Sequence, residues 1–89
     1  MSVPDAALRH QFTVRLESAP NALARLVEPF VIHDVLPERL ESVRGPSELI
    51  VHIWFTAETD LARRLADRLR VMIPVFDVAA VTHAEAVAA

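Results

Sequence analysis

Four histidines, His10, His33, His52 and His83, are the side chains of this sequence best suited to move a proton or hold a metal near neutral pH. Either task needs groups that converge. None of the four stands at a recognised ligand spacing from another histidine or a carboxylate, and each falls in a different element. Ser18 has no nucleophile-elbow context around it. With no Lys, Schiff-base and phosphate-loop chemistry are excluded. With no Cys, disulfides, thiolate zinc sites and CxxC redox chemistry are excluded as well. Arg63, Arg64, Arg68 and Arg70 form a cationic cluster, but Asp60 and Asp67 interleave with it at helical spacing and mark a solvated face. No enzyme, metal or cofactor is expected.

Charge and hydropathy narrow the partners. Twelve acidic residues against nine arginines leave a net charge of −3, which disfavours nucleic acid as a partner. No apolar run approaches the roughly 18 residues a membrane helix requires, and no signal peptide is readable, so a cytoplasmic location is expected. A hydrophobic fraction of 53% is high for 89 residues, because a small domain buries only about 60% of the surface its chain exposes. Self-association is the expected remedy.

The elements that must position these residues follow from periodicity. Residues 1–89 form one domain with a core over about 10–83; Met1 to Leu8 and His83 to Ala89 read as frayed termini. His10 to Glu17 alternates, with Phe12, Val14 and Leu16 on one face of a strand. Ser18 or Ala19 precedes a helix whose first turn holds Pro20, where a missing N–H costs nothing. Leu23, Leu26, Val27 and Phe30 make its apolar stripe. Pro29 predicts a kink or an early last turn, and Asp34 a left-handed exit.

Pro37 to Arg44 reads as a charged edge strand, joined through Gly45-Pro46-Ser47 to a strand over Glu48 to Thr56. That strand is apolar on both faces: Leu49, Val51, Ile53 and Phe55 oppose Ile50, His52 and Trp54. Thr59 or Asp60 caps a second helix striped by Leu61, Leu65, Leu69 and Met72, with Asp60/Arg64 and Arg63/Asp67 pairs outside. Pro74 ends it, and Val75 to Thr82 returns to strand. The order β-α-β-β-α-β is the α+β, ferredoxin-like plan: a four-stranded antiparallel sheet, first and third strands central, with two helices on one face.

RNA-recognition motifs share this order, yet Trp54 finds no aromatic companion on the first strand's open face. The stretch Glu17-Ser18-Ala19-Pro20-Asn21-Ala22-Leu23-Ala24-Arg25, followed by Phe30, resembles the ACT domain family. There a hydrophobic strand runs into an Asn-x-x-Gly-x-Leu-x-Arg loop and a helix starts beneath it. Arg63 to Val81, with Leu65, Leu69, Val75, Asp77, Val78 and Val81, resembles that family's last helix and strand. The small regulatory subunit of acetolactate synthase is closest in pattern.

The resemblance implies a non-catalytic homodimeric regulatory domain that binds an amino acid at a subunit interface, with a larger enzyme as possible partner. It places ligand contacts at Ser18, Asn21, Ala22 and Leu23. Two departures leave a ligand-free interaction module open as the alternative. Asn21 stands where the family prefers Gly, and Ser18 where an Asn often contacts ligand. If Phe12, Val14, Leu16, Val51, Ile53 and Phe55 face the helices, then Ile50, His52 and Trp54 face outward, and an exposed aliphatic–aromatic patch is the expected dimer interface.

Overall fold

The computed structural model describes residues 7–83. Its elements are β1 (Leu8–Glu17), α1 (Pro20–Ile32), β2 (Arg39–Arg44), β3 (Glu48–Ala57), α2 (Thr59–Arg70) and β4 (Val75–His83). They form one four-stranded sheet in the order β2-β3-β1-β4, every neighbouring pair antiparallel. This is the ferredoxin-like βαββαβ plan. The alternation starts two residues earlier than the apolar pattern indicates, because Leu8 and Arg9 pair with Ala57 and Thr56. Residues 1–6 and 84–89 of the expected frayed termini lie outside the described residues, whereas Leu8 and His83 are strand residues.

The core follows the period-2 rule in the two central strands. Phe12, Val14 and Leu16 of β1 meet Leu49, Val51, Ile53 and Phe55 of β3 under the helices, all buried. Ala22, Leu26 and Phe30 of α1 and Ala62, Leu65, Ala66 and Leu69 of α2 close the layer from above. Three rings lock the centre edge-to-face: Phe55 lies 4.9 Å from Phe12 and 5.2 Å from Phe30, centroid to centroid. Such pairs add roughly 0.5–1.5 kcal/mol each beyond burial.

Local chemistry sets the ends. α1 runs on through Pro29 to Ile32, since the carbonyl that loses its partner lies in the last turns and the helix stops one turn later. Its exit is a Schellman arrangement. Asp34 sits at φ 58°, its N–H donates to the Val31 carbonyl, and the Val35 N–H donates to Phe30. Val35 then packs on the core beside Phe30. Gly45 donates to the Glu48 carbonyl at 2.8 Å, and a Cβ there would come within 3.0 Å of that oxygen, so the hairpin favours glycine. The second helix is entered one residue earlier than its sequence indicates. Glu58 is the N-cap, and Thr59 and Asp60 lie inside the first turn. Asp60 pairs with both Arg63 and Arg64, while Asp67 pairs with Arg70 in place of Arg63.

On the open face, Arg15 grips Glu48 with two parallel hydrogen bonds of 2.7 and 2.8 Å. The hydrogen bonds from Arg15 hold the Glu48 carboxyl below its ordinary value of 4.5. A depressed carboxyl pKa stabilises the fold above that ordinary value, and the contribution disappears as pH falls through the lower, folded value. Glu48→Gln is therefore expected to be less stable than the parent at neutral pH in urea titration, and the gap should close as pH falls below the ordinary carboxyl value and through the lower, folded one. A gap that stays constant into acid would show that the pair contributes nothing.

Candidate functional site

The loop between β1 and α1 is built by two short hydrogen bonds. The Glu17 N–H donates to the Pro74 carbonyl at 2.8 Å, and the Ala19 N–H reaches back to Glu17 at 2.9 Å. Pro20 then opens α1, with Ala19 extended as N-cap and no side-chain cap present. Ala22 drops into the core and spends its N–H on the Ala19 carbonyl at 3.1 Å. The Asn21 N–H has no backbone partner among the described residues and stands at the helix N-terminus, where donors favour anions.

Beneath this loop lies a groove of about 280 Å³, lined by Ser18, Ala19, Pro20, Leu23, Ser42, Arg44 and Leu49. Its far wall is edge strand β2. Leu40, Ser42 and Arg44 occupy the helix-side positions of that strand, opposite Ile53, Val51 and Leu49. Neither helix covers them, and all three are exposed. Arg44 forms no ion pair among the described residues, although most other arginines do. The groove thus offers one unneutralised guanidinium, two hydroxyls and an apolar floor.

Of the ligand contacts expected from sequence, Ser18 and Leu23 line this groove, Asn21 stands exposed at the helix start, and Ala22 is buried behind it. Ser42 and Arg44 are additions that only the tertiary structure supplies. Their signal was present as polar residues on alternate positions of β2, but an inward-pointing charge is also an ordinary device for guarding a sheet edge.

Ile50, His52 and Trp54 do share the open face, each half-buried. They face Arg15, Thr13 and Gln11 of β1 and Val43, Glu41 and Arg39 of β2. His52 Nδ1 bonds the Thr13 hydroxyl at 3.0 Å, and its ring lies 5.9 Å from that of Trp54. The Arg39 guanidinium sits 5.1 Å from the Trp54 ring centroid, a cation–π placement. The patch is therefore partly furnished by its own strands.

The remaining histidines stay apart. His10 is buried, its Nε2 donating to the Ala57 carbonyl at 2.8 Å and its Nδ1 bonding the Thr82 hydroxyl at 3.1 Å. His33 caps α1 and His83 ends β4. No group of three or more His, Asp or Glu is placed to hold a metal among the described residues. No described helix is long and apolar enough to cross a membrane.

No family model and no curated protein matches the chain in sequence. Solved structures match its fold. The ACT domain from GTP pyrophosphokinase of Chlorobium tepidum superposes with a TM-score of 0.73 at 15% identity in its solution structure, covering 89% of this chain and 91% of that one. Its crystal structure gives 0.74 at 14% identity over 84% of this chain and 99% of that one. The C-terminal domain of the MgtC protein from Mycobacterium tuberculosis gives 0.68 at 13% identity, over 93% and 94% of the two chains. In element order, sheet order and superposition, the chain has the βαββαβ fold of the ACT domains.

Proposed function

We propose that the chain is a non-catalytic, cytoplasmic ACT-like regulatory domain that binds a free amino acid in the groove between the β1–α1 loop and β2. The placement of Arg44 carries this reading. A carboxylate is the group an unpaired guanidinium binds best, through two parallel hydrogen bonds. The Asn21 N–H at the start of α1 offers a second anion donor, and the Ser18 and Ser42 hydroxyls accept from an ammonium group. Leu23, Leu49 and Ala19 leave room for a small aliphatic side chain, and about 280 Å³ lies below the usual drug-sized pocket.

Bound ligand must raise stability. A thermal-shift screen of the twenty amino acids at millimolar concentration is expected to find at least one that raises Tm by several degrees, and Arg44→Ala to abolish the shift. No response to any of the twenty sinks the reading. The site then reverts to a ligand-free interaction module, which the missing N–H of Pro20 and the committed N–H of Ala22 favour. In either case the partner is a larger metabolic enzyme, as for the acetolactate synthase small subunit, or a second copy covering Ile50, His52 and Trp54.

A further inference from the structure

The core accounts for the apolar stripes of both helices, yet four exposed aliphatic residues lie outside those stripes. Val31 and Ile32 end α1, and Val71 and Ile73 follow α2. Ile32 is 70% exposed, Val71 75% and Ile73 94%. Ile32 and Val71 line a cleft of about 240 Å³ on the helix side of the sheet, with Glu28, Pro29, Arg68 and Met72 as its other walls. Glu28 and Arg68 form no ion pair among the described residues, whereas Asp60 and Asp67 of α2 are both engaged. Ile73 follows Met72 of this cleft directly in the chain. An apolar cleft with one unspent charge of each sign, next to an exposed isoleucine, is complementary to itself.

We propose that this cleft docks a second copy of the chain, the two helix layers meeting face to face. A two-fold axis makes each contact reciprocal: Glu28 of each copy meets Arg68 of the other, and Ile73 of each copy enters the other's cleft. Opposite charges then pair twice at the rim, while the aliphatic residues at both helix ends leave water together. The charges select this occupant. A purely apolar segment would leave Glu28 and Arg68 without partners, and a segment of one charge sign would repel one of them. A second copy brings one charge of each sign. It also covers part of the apolar excess that 89 residues bury poorly alone. The cleft shares no residue with the groove at Arg44, so the docking is independent of ligand binding there.

Light scattering and sedimentation on the full chain test the docking. The wild type is expected to be at least a dimer of the 9.9 kDa chain. Glu28→Arg sets arginines against Arg68 of the second copy at two places, and Arg68→Glu sets carboxylates against Glu28. Each variant alone should associate about tenfold more weakly. An equal mixture of the two variants restores opposite charges at both contacts and should form a mixed dimer, which loss of folding would not produce. Ile73→Asp should abolish association and keep the parent's far-ultraviolet circular dichroism, since the side chain is exposed in the single copy. A monomeric wild type overturns the proposal. So does a dimer that resists Ile73→Asp but dissociates with Trp54→Glu, which identifies the open face of the sheet as the interface. Variants that lose stability as monomers and form no mixed dimer overturn it too, because Glu28 and Arg68 then pair within one copy.

Discussion

Phe55→Ala is expected to cost about 3–5 kcal/mol of unfolding free energy, a large part of what a domain of this size possesses. Phe55 is fully buried on β3 and makes edge-to-face contacts with Phe12 on β1 and Phe30 on α1. Its ring is therefore shared by the two central strands and the first helix. Truncation opens a cavity bounded by β1, β3 and α1, and a core anchored on three elements collapses poorly into such a space. In urea the midpoint should fall steeply or the cooperative transition vanish. Phe55→Leu keeps most of the volume and should recover more than half the loss. A loss below about 1 kcal/mol for the alanine variant would show that the ring cluster does not organise the core.

His10→Leu should cost about 1–3 kcal/mol although leucine is the more hydrophobic residue. The His10 ring is buried, 5.3 Å from the Phe55 ring, and both nitrogens are bonded. A carbonyl can only accept, so Nε2 carries the hydrogen toward Ala57, and in the neutral ring Nδ1 accepts from the Thr82 hydroxyl. One imidazole thus ties β1 to the last residue of β3 and to the far end of β4. Leucine leaves the Ala57 carbonyl without its donor in a site water reaches poorly. Denaturant titration measures the loss, and faster amide exchange near Ala57 and Thr82 should accompany it. Equal stability of the two proteins would mean that the ring acts as packing alone.

His10 marks where sequence reading stops. Its parity places it with Phe12, Val14 and Leu16 on the helix side of β1, which the alternation alone implies. What satisfies its nitrogens lies 47 and 72 residues away and follows only from strand order. Asp34 is the opposite case. Its left-handed exit depends on its own backbone and the preceding turn, so residue type announced it. The second helix entry was less exact: Thr59 is the better capping residue, yet β3 runs to Ala57 and Glu58 takes the N-cap position without a side-chain cap bond.

The candidate site divides in the same way. Ser18, Asn21 and Leu23 stand together because a strand-to-helix turn brings near neighbours together, and turn chemistry is local. Arg44 reaches them only because β2 returns to the edge beyond β3, more than twenty residues later, on the side the helices leave open. Likewise, the apolar excess of the composition announced that surface would remain, and the two apolar faces of β3 placed part of it at Ile50, His52 and Trp54, which do share the open face, each half-buried. Alternation and helical stripes by themselves determined the six elements, the core faces and the ferredoxin-like order, because burial acts on each segment through its own period. Tertiary structure alone decided the groove that Arg44 completes and the bonding of His10. Each of these depends on which strands are neighbours, and that is a property of the whole sheet.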